Sequence, residues 1–131
     1  VSPLPPQSDP RPIVFLVDDD PAVAHAVQFS FDLEGIEVRS FNDAESLLAS
    51  GDLPRDGGCL VLDYHLPGAD GLDLLTRLRA EGVRMPAVLI TTNPRTNLSV
   101  RAASAGVPII EKPLLTDALL SAVRSALAHG G

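Results

Sequence analysis

The chain has 131 residues, 45% of them hydrophobic, with 17 acidic against 10 basic side chains and a formal net charge of -7. That length and composition suit one globular domain with a real core and exclude a disordered chain. The negative balance, with no lysine- or arginine-rich run, argues against a nucleic-acid surface, and no apolar stretch reaches the roughly 18 residues of a membrane span.

Residues 1–12 carry five prolines and little that could pack, so residues 1–11 read as a flexible leader and 12–129 as the folded unit. IVFLV at 13–17 is a short, continuously apolar run, the pattern of a strand buried on both faces, and three acids follow it, Asp18, Asp19 and Asp20. A helix should open at Pro21 with Asp20 as its N-cap, present Val23, Val27 and Phe31 on one face and stop at Gly35. Residues 37–41 alternate in polarity, which suits an edge strand with one solvated side. A short helix over 43–49, capped by Asn42, and a loop over 50–58 come next.

The second fully apolar run, CLVL at 59–62, ends on Asp63. Cys59 inside it reads as a small buried hydrophobe rather than a reactive thiol. One cysteine makes no internal disulfide, so nothing points to an oxidising compartment, and the expectation is a soluble, cytoplasmic domain. YHLPGADG at 64–71 is turn-rich, and a helix over 72–81 turns Leu74, Leu75 and Leu78 inward before Gly82. The third run, AVLI at 87–90, ends on Thr91 and Thr92, after which Asn93-Pro94 breaks the chain. A helix over 97–105 has a face of alanine, serine and valine, so it buries little area. The fourth run, PIIE at 108–111, ends on Lys112; its proline suits a sheet edge. A last helix over 115–128 sets Leu115, Leu119, Val123 and Ala126 on one side.

Five strands alternating with five helices predict βαβ units and a parallel sheet. If the strands run parallel, Asp18, Asp19, Asp63, Thr91 and Lys112 converge beyond their carboxyl ends, where open α/β sheets bind ligands. Adjacent buried acids need a cation, and magnesium takes oxygen ligands from one or two carboxylates, water and phosphate. A third carboxylate can share that ion and still offer an oxygen as nucleophile, while a lysine and a hydroxyl neutralise and orient a phosphoryl group. The set describes a divalent-metal site that handles a phosphoryl group. His25, His65 and His129 are too scattered for a metal site of their own.

VDDDP, LVLDYHLPGADGLDLL, VLITT and IIEKP, in this order and spacing, resemble the receiver domain of bacterial two-component response regulators. The resemblance covers nearly all of the chain after the leader. It implies a flavodoxin-like, doubly wound (βα)5 fold with strand order 2-1-3-4-5. It also implies that Asp63 takes a phosphoryl group from the phosphohistidine of a sensor histidine kinase or phosphotransfer protein. Asp18 and Asp19 would hold Mg2+ with Asp63 and the backbone carbonyl of His65, Thr91 would be the switch hydroxyl, and Lys112 would contact the phosphoryl group. Such a domain is a phosphoacceptor rather than an enzyme. It signals to a downstream effector or output domain, and a homodimer is compatible with it. A stand-alone receiver, the front of a transcription factor and the front of an enzyme all stay open; VDDDP and LPGADG resemble receivers joined to helix-turn-helix outputs.

The resemblance further implies a cis Lys112-Pro113 peptide. Where the family usually has an aromatic residue three places before the lysine, this chain has Ile109. Two other readings stand beside it. One is a pseudo-receiver that keeps the fold for interaction without phosphorylation. The other is a haloacid-dehalogenase-type phosphatase, which would use Asp18 and Asp20 and leave Asp63 without a task.

Overall fold

The computed structural model describes residues 12–51, 53, 58–92, 96–112 and 116–129. Five strands form one sheet: β1 (Ile13–Val17), β2 (Glu37–Phe41), β3 (Gly58–Asp63), β6 (Ala87–Thr91) and β7 (Ile109–Glu111). Their order is β2-β1-β3-β6-β7 and every neighbouring pair is parallel. Counted within this sheet alone, that is the expected 2-1-3-4-5 order. The edges are β2, the strand of alternating polarity, and the short β7, as expected.

Helices α1 (Pro21–Leu33), α2 (Ala44–Ser50), α3 (Gly71–Ala80) and α4 (Thr96–Ser104) make the crossovers, and α5 (Thr116–His129) follows the last strand. Because side chains on a strand alternate faces, each apolar run feeds two cores at once. Val14, Leu16, Val61, Val88 and Ile90 pack with Val27 and Phe31 of α1 and Leu119 and Val123 of α5. Phe15, Val17, Leu60, Leu62 and Leu89 pack with Leu47 of α2, Leu75 and Leu78 of α3, and Leu98 and Ala102 of α4. This double coverage is why the runs had to be continuously apolar. On α4 only Leu98 and Ala102 are buried among the residues whose side chains are described, and Val100 is 60% exposed, which matches the small buried area expected of it.

Three local expectations change. The α2 cap is Asp43 rather than Asn42: the Asp43 carboxylate accepts from Ser46 N at 2.8 Å, which starts the helix one residue later. Pro108 lies outside β7, although its carbonyl accepts from Leu89 N at 2.9 Å and so still ties the chain to the sheet. The turn-rich segment after Asp63 is not irregular throughout. β4 (His65–Leu66) and β5 (Ala69–Asp70) form a small antiparallel ladder closed by Gly68 at φ 78. Asp70 then caps α3 through Asp73 N at 2.7 Å. The Lys112-Pro113 peptide, Asn93 and Leu115 lie outside the described residues.

Cys59 is fully buried on β3, and burial pushes its thiol up to about 12. Its thiol form therefore contributes stability that is complete below the ordinary value near 9 and is lost progressively as pH climbs from there through about 12. The native protein is expected to resist alkylation by iodoacetamide from pH 7 to pH 9, and to react at once in denaturant. Ready labelling of the folded protein at pH 8 would contradict that burial.

Gly71 opens α3 where space forbids anything larger: a Cβ there would stand 2.6 Å from the Asp63 carbonyl oxygen and 2.9 Å from Leu89 Cδ1. Its N–H donates to the Tyr64 carbonyl at 2.9 Å, so the close approach is held from both sides. Gly71→Ala should cost about 1–3 kcal/mol in urea unfolding, because backbone rather than a flexible side chain must yield.

Candidate phosphoacceptor and metal site

The parallel register brings the predicted residues to one end of the sheet. Val17 pairs with Leu62, so Asp18 and Asp63 leave β1 and β3 level with each other. Asp63 pairs with Ile90 and Thr91 with Glu111, so Thr91 ends β6 one step further along and Lys112 follows β7 directly. Two backbone bonds stitch these tips together, Tyr64 N to Ile90 O at 2.8 Å and Lys112 N to Thr91 O at 2.7 Å.

Asp18, Asp63 and Thr91 are the buried polar residues among those described. Asp18 Oδ1 accepts from Asp20 N at 2.9 Å, and Asp20 in turn caps α1 through Ala22 N at 2.9 Å. Asp63 Oδ1 accepts from His65 N at 3.1 Å. Lys112 Nζ bridges the two carboxylates, donating to Asp63 Oδ2 at 3.2 Å and lying 2.8 Å from Asp18 Oδ2. The second contact is a close ion pair, and apart from that ammonium the buried Asp18 Oδ2 has no hydrogen-bond partner among the described residues.

Burial, and then the neighbouring Asp18 charge, hold the Asp63 carboxyl above the usual carboxylate range, against the opposing pull of Lys112. Burial drags the Lys112 ammonium down, but the Asp18 and Asp63 carboxylates together outweigh it and leave it above the ordinary lysine value. Asp18, Asp19 and Asp63 each offer an oxygen within 4.8 Å of the others, and Asp19 is exposed to solvent. Three carboxylates sharing one ammonium, with a buried oxygen that has no other partner among the described residues, fit a hard divalent cation with oxygen ligands.

A cleft of about 590 Å3 between α1 and α5 has Asp20, Thr92 and Lys112 on its rim and is otherwise mostly apolar. None of the three clustered carboxylates lines it, so the chemistry sits beside this cleft and not within it. What the residue pattern did not reveal is Arg101, whose side chain reaches from α4 to Tyr64, the residue after Asp63. An arginine on a solvated helix carries no local signal of such a contact.

A family model described as the response regulator receiver domain matches residues 14–124. The C4-dicarboxylate transport transcriptional regulatory protein DctD of Pseudomonas aeruginosa is 38% identical over 122 residues, covering 91% of this chain and 26% of that protein. The transcriptional regulatory protein FixJ of Azorhizobium caulinodans is 36% identical, covering 88% of this chain and 55% of that protein. Full-length FixJ from B. japonicum superposes with a TM-score of 0.81 at 32% identity, over 92% of this chain and 60% of that one. The chain thus spans about a quarter of the DctD relative and about half of FixJ. Among the described residues no helix is long and apolar enough to cross a membrane. With a match that runs from the first core strand into the last helix, and a doubly wound fold shared with solved receivers, this chain belongs to the response regulator receiver domain family.

Proposed function

We propose that Asp63 is the phosphoacceptor of a two-component pathway, within a receiver unit at residues 12–129, and that the reaction requires Mg2+. The observation that carries this is the Lys112 ammonium bridging Asp18 and Asp63 beside Asp19. Asp18, Asp19, Asp63 and the His65 carbonyl would hold the ion. When bound, it supplies positive charge that screens the carboxylates and the incoming phosphoryl oxygens.

The residues of the chain divide the remaining work. An Asp63 carboxylate oxygen forms the new P–O bond as the P–N bond of a kinase or phosphotransfer phosphohistidine breaks, and the freed imidazole keeps its proton. His65 N–H and the Lys112 ammonium, both already bonded to Asp63, orient the carboxylate before transfer. Afterwards Lys112 can pair with the acquired charge, and Thr91 supplies a hydroxyl at the end of the neighbouring strand. The domain is then a phosphoacceptor switch rather than an enzyme acting on a separate substrate. Its relatives are named as transcriptional regulators, which supports an output domain of that kind outside these residues.

Incubation with phosphoramidate or acetyl phosphate and Mg2+ is expected to add one phosphoryl group, mapped by mass spectrometry to the peptide containing Asp63. Chelation of the metal should abolish the adduct. No adduct under any metal condition would favour the pseudo-receiver reading, in which the fold serves interaction alone.

A further inference from the structure

Arg101 stands on the second turn of α4, and its contacts among the described residues all go to the segment that follows Asp63. Its Nη1 donates to Tyr64 Oη at 3.3 Å and lies 3.7 Å from Asp70 Oδ2, while Nη2 lies 3.7 Å from Asp73 Oδ1. Tyr64 is the residue after the acceptor, Asp70 caps α3, and Asp73 is in the first turn of that helix. One side chain therefore ties α4 to three points of a single segment. Among the described residues no other α4 side chain makes a polar contact with a neighbouring element.

The far end of this contact is coupled tightly to the site. Tyr64 N donates to Ile90 O and its carbonyl accepts from Gly71 N, so the Tyr64 backbone is fixed on both sides. The Tyr64 ring packs edge-on against the His65 ring at 4.9 Å, and His65 N is the group that donates to Asp63 Oδ1. A change at Asp63 that moves His65 moves the neighbour that holds Tyr64.

The near end is weak. The Arg101 side chain is 46% exposed, its ion contacts are long, and α4 is anchored chiefly by Leu98 and Ala102. Exposed pairs of this kind are individually cheap to break. Residue 109 offers no rival polar route, because Ile109 is aliphatic and packs half-buried against the core beneath α3 and α4.

We propose that Arg101 latches α4 to the loop after the acceptor, and that charge arriving at Asp63 releases this latch through His65 and Tyr64, freeing α4 as the responsive surface. The proposal rests on the phosphoacceptor reading for its trigger but not for the latch itself. The two states differ by one small polar network, which is the kind of gap a single modification can tip.

Hydrogen exchange of the amides at residues 98–104 tests it, in wild type, Arg101→Met and Tyr64→Phe, each with and without beryllofluoride and Mg2+. Without the mimic, Arg101→Met should exchange about threefold faster over α4 than wild type, with Tyr64→Phe between them. With the mimic, wild-type α4 should speed up by about threefold and Arg101→Met should barely respond. Equal exchange in the unloaded proteins would overturn the latch. An equal response to loading in wild type and Arg101→Met would overturn the transmission route. If wild type fails to load at all, shown separately by the missing phosphoramidate adduct, the trigger falls with the phosphoacceptor reading and the unloaded comparison still decides the latch.

Discussion

Asp63→Asn is expected to reduce phosphoryl incorporation from phosphoramidate by about a thousandfold or more, because it removes the carboxylate proposed to take the phosphoryl group. The fold should survive, since the amide oxygen can keep the bond from His65 N while its NH2 takes the place of the oxygen facing Lys112, whose ammonium still pairs with Asp18. The informative contrast is Asp20→Asn. Asp20 caps α1 through Ala22 N, and asparagine caps about as well as aspartate, so this variant should keep incorporation within about threefold of wild type. A phosphatase that used Asp20 would reverse the pattern, losing activity with Asp20→Asn and keeping it with Asp63→Asn. Adduct formation followed by intact mass separates the two outcomes.

Lys112→Ala should be the most destabilising single change at the site. It strips the shared cation from two buried carboxylates, one of which has an oxygen with no other partner among the described residues. Removing one partner of a buried ion pair typically costs 3–5 kcal/mol; with the lysine still 12% exposed, about 3 kcal/mol is expected, or a melting midpoint lower by about 10 °C. Mg2+ should restore much of it, because a ligand bound only by the folded state stabilises by about 2.7 kcal/mol at a hundred times its dissociation constant. Thermal melts of wild type and Lys112→Ala over a magnesium series check this. A variant that melts with wild type in the absence of metal would show that the lysine does not neutralise the acids.

The alternation of apolar runs and helices was enough to reach the sheet, its parallel sense and the common end of Asp18, Asp63, Thr91 and Lys112. Each run is apolar at every position because both faces of the sheet are covered, and a pattern that strong leaves little freedom. The resemblance to receiver domains supplied the strand order and the role of each site residue, which periodicity alone does not contain. Boundaries set by single hydrogen bonds were harder to read. Asn42 and Asp43 are both good caps, and only the bond from Ser46 N decides between them. The ladder of β4 and β5 is two residues long on each side, too short for any alternation to show. The Tyr64–Arg101 contact spans 37 residues and joins two elements that touch only in three dimensions, so no window along the chain could contain it.

The backbone bond from Lys112 to Thr91 has a consequence for anyone who would transplant this centre. The ammonium is not carried by its own short strand alone; its starting point is bolted to the tip of the strand beside it. Moving the acids, the hydroxyl and the amine onto a foreign framework would therefore recover the parts without their alignment, unless that one rung were rebuilt with them.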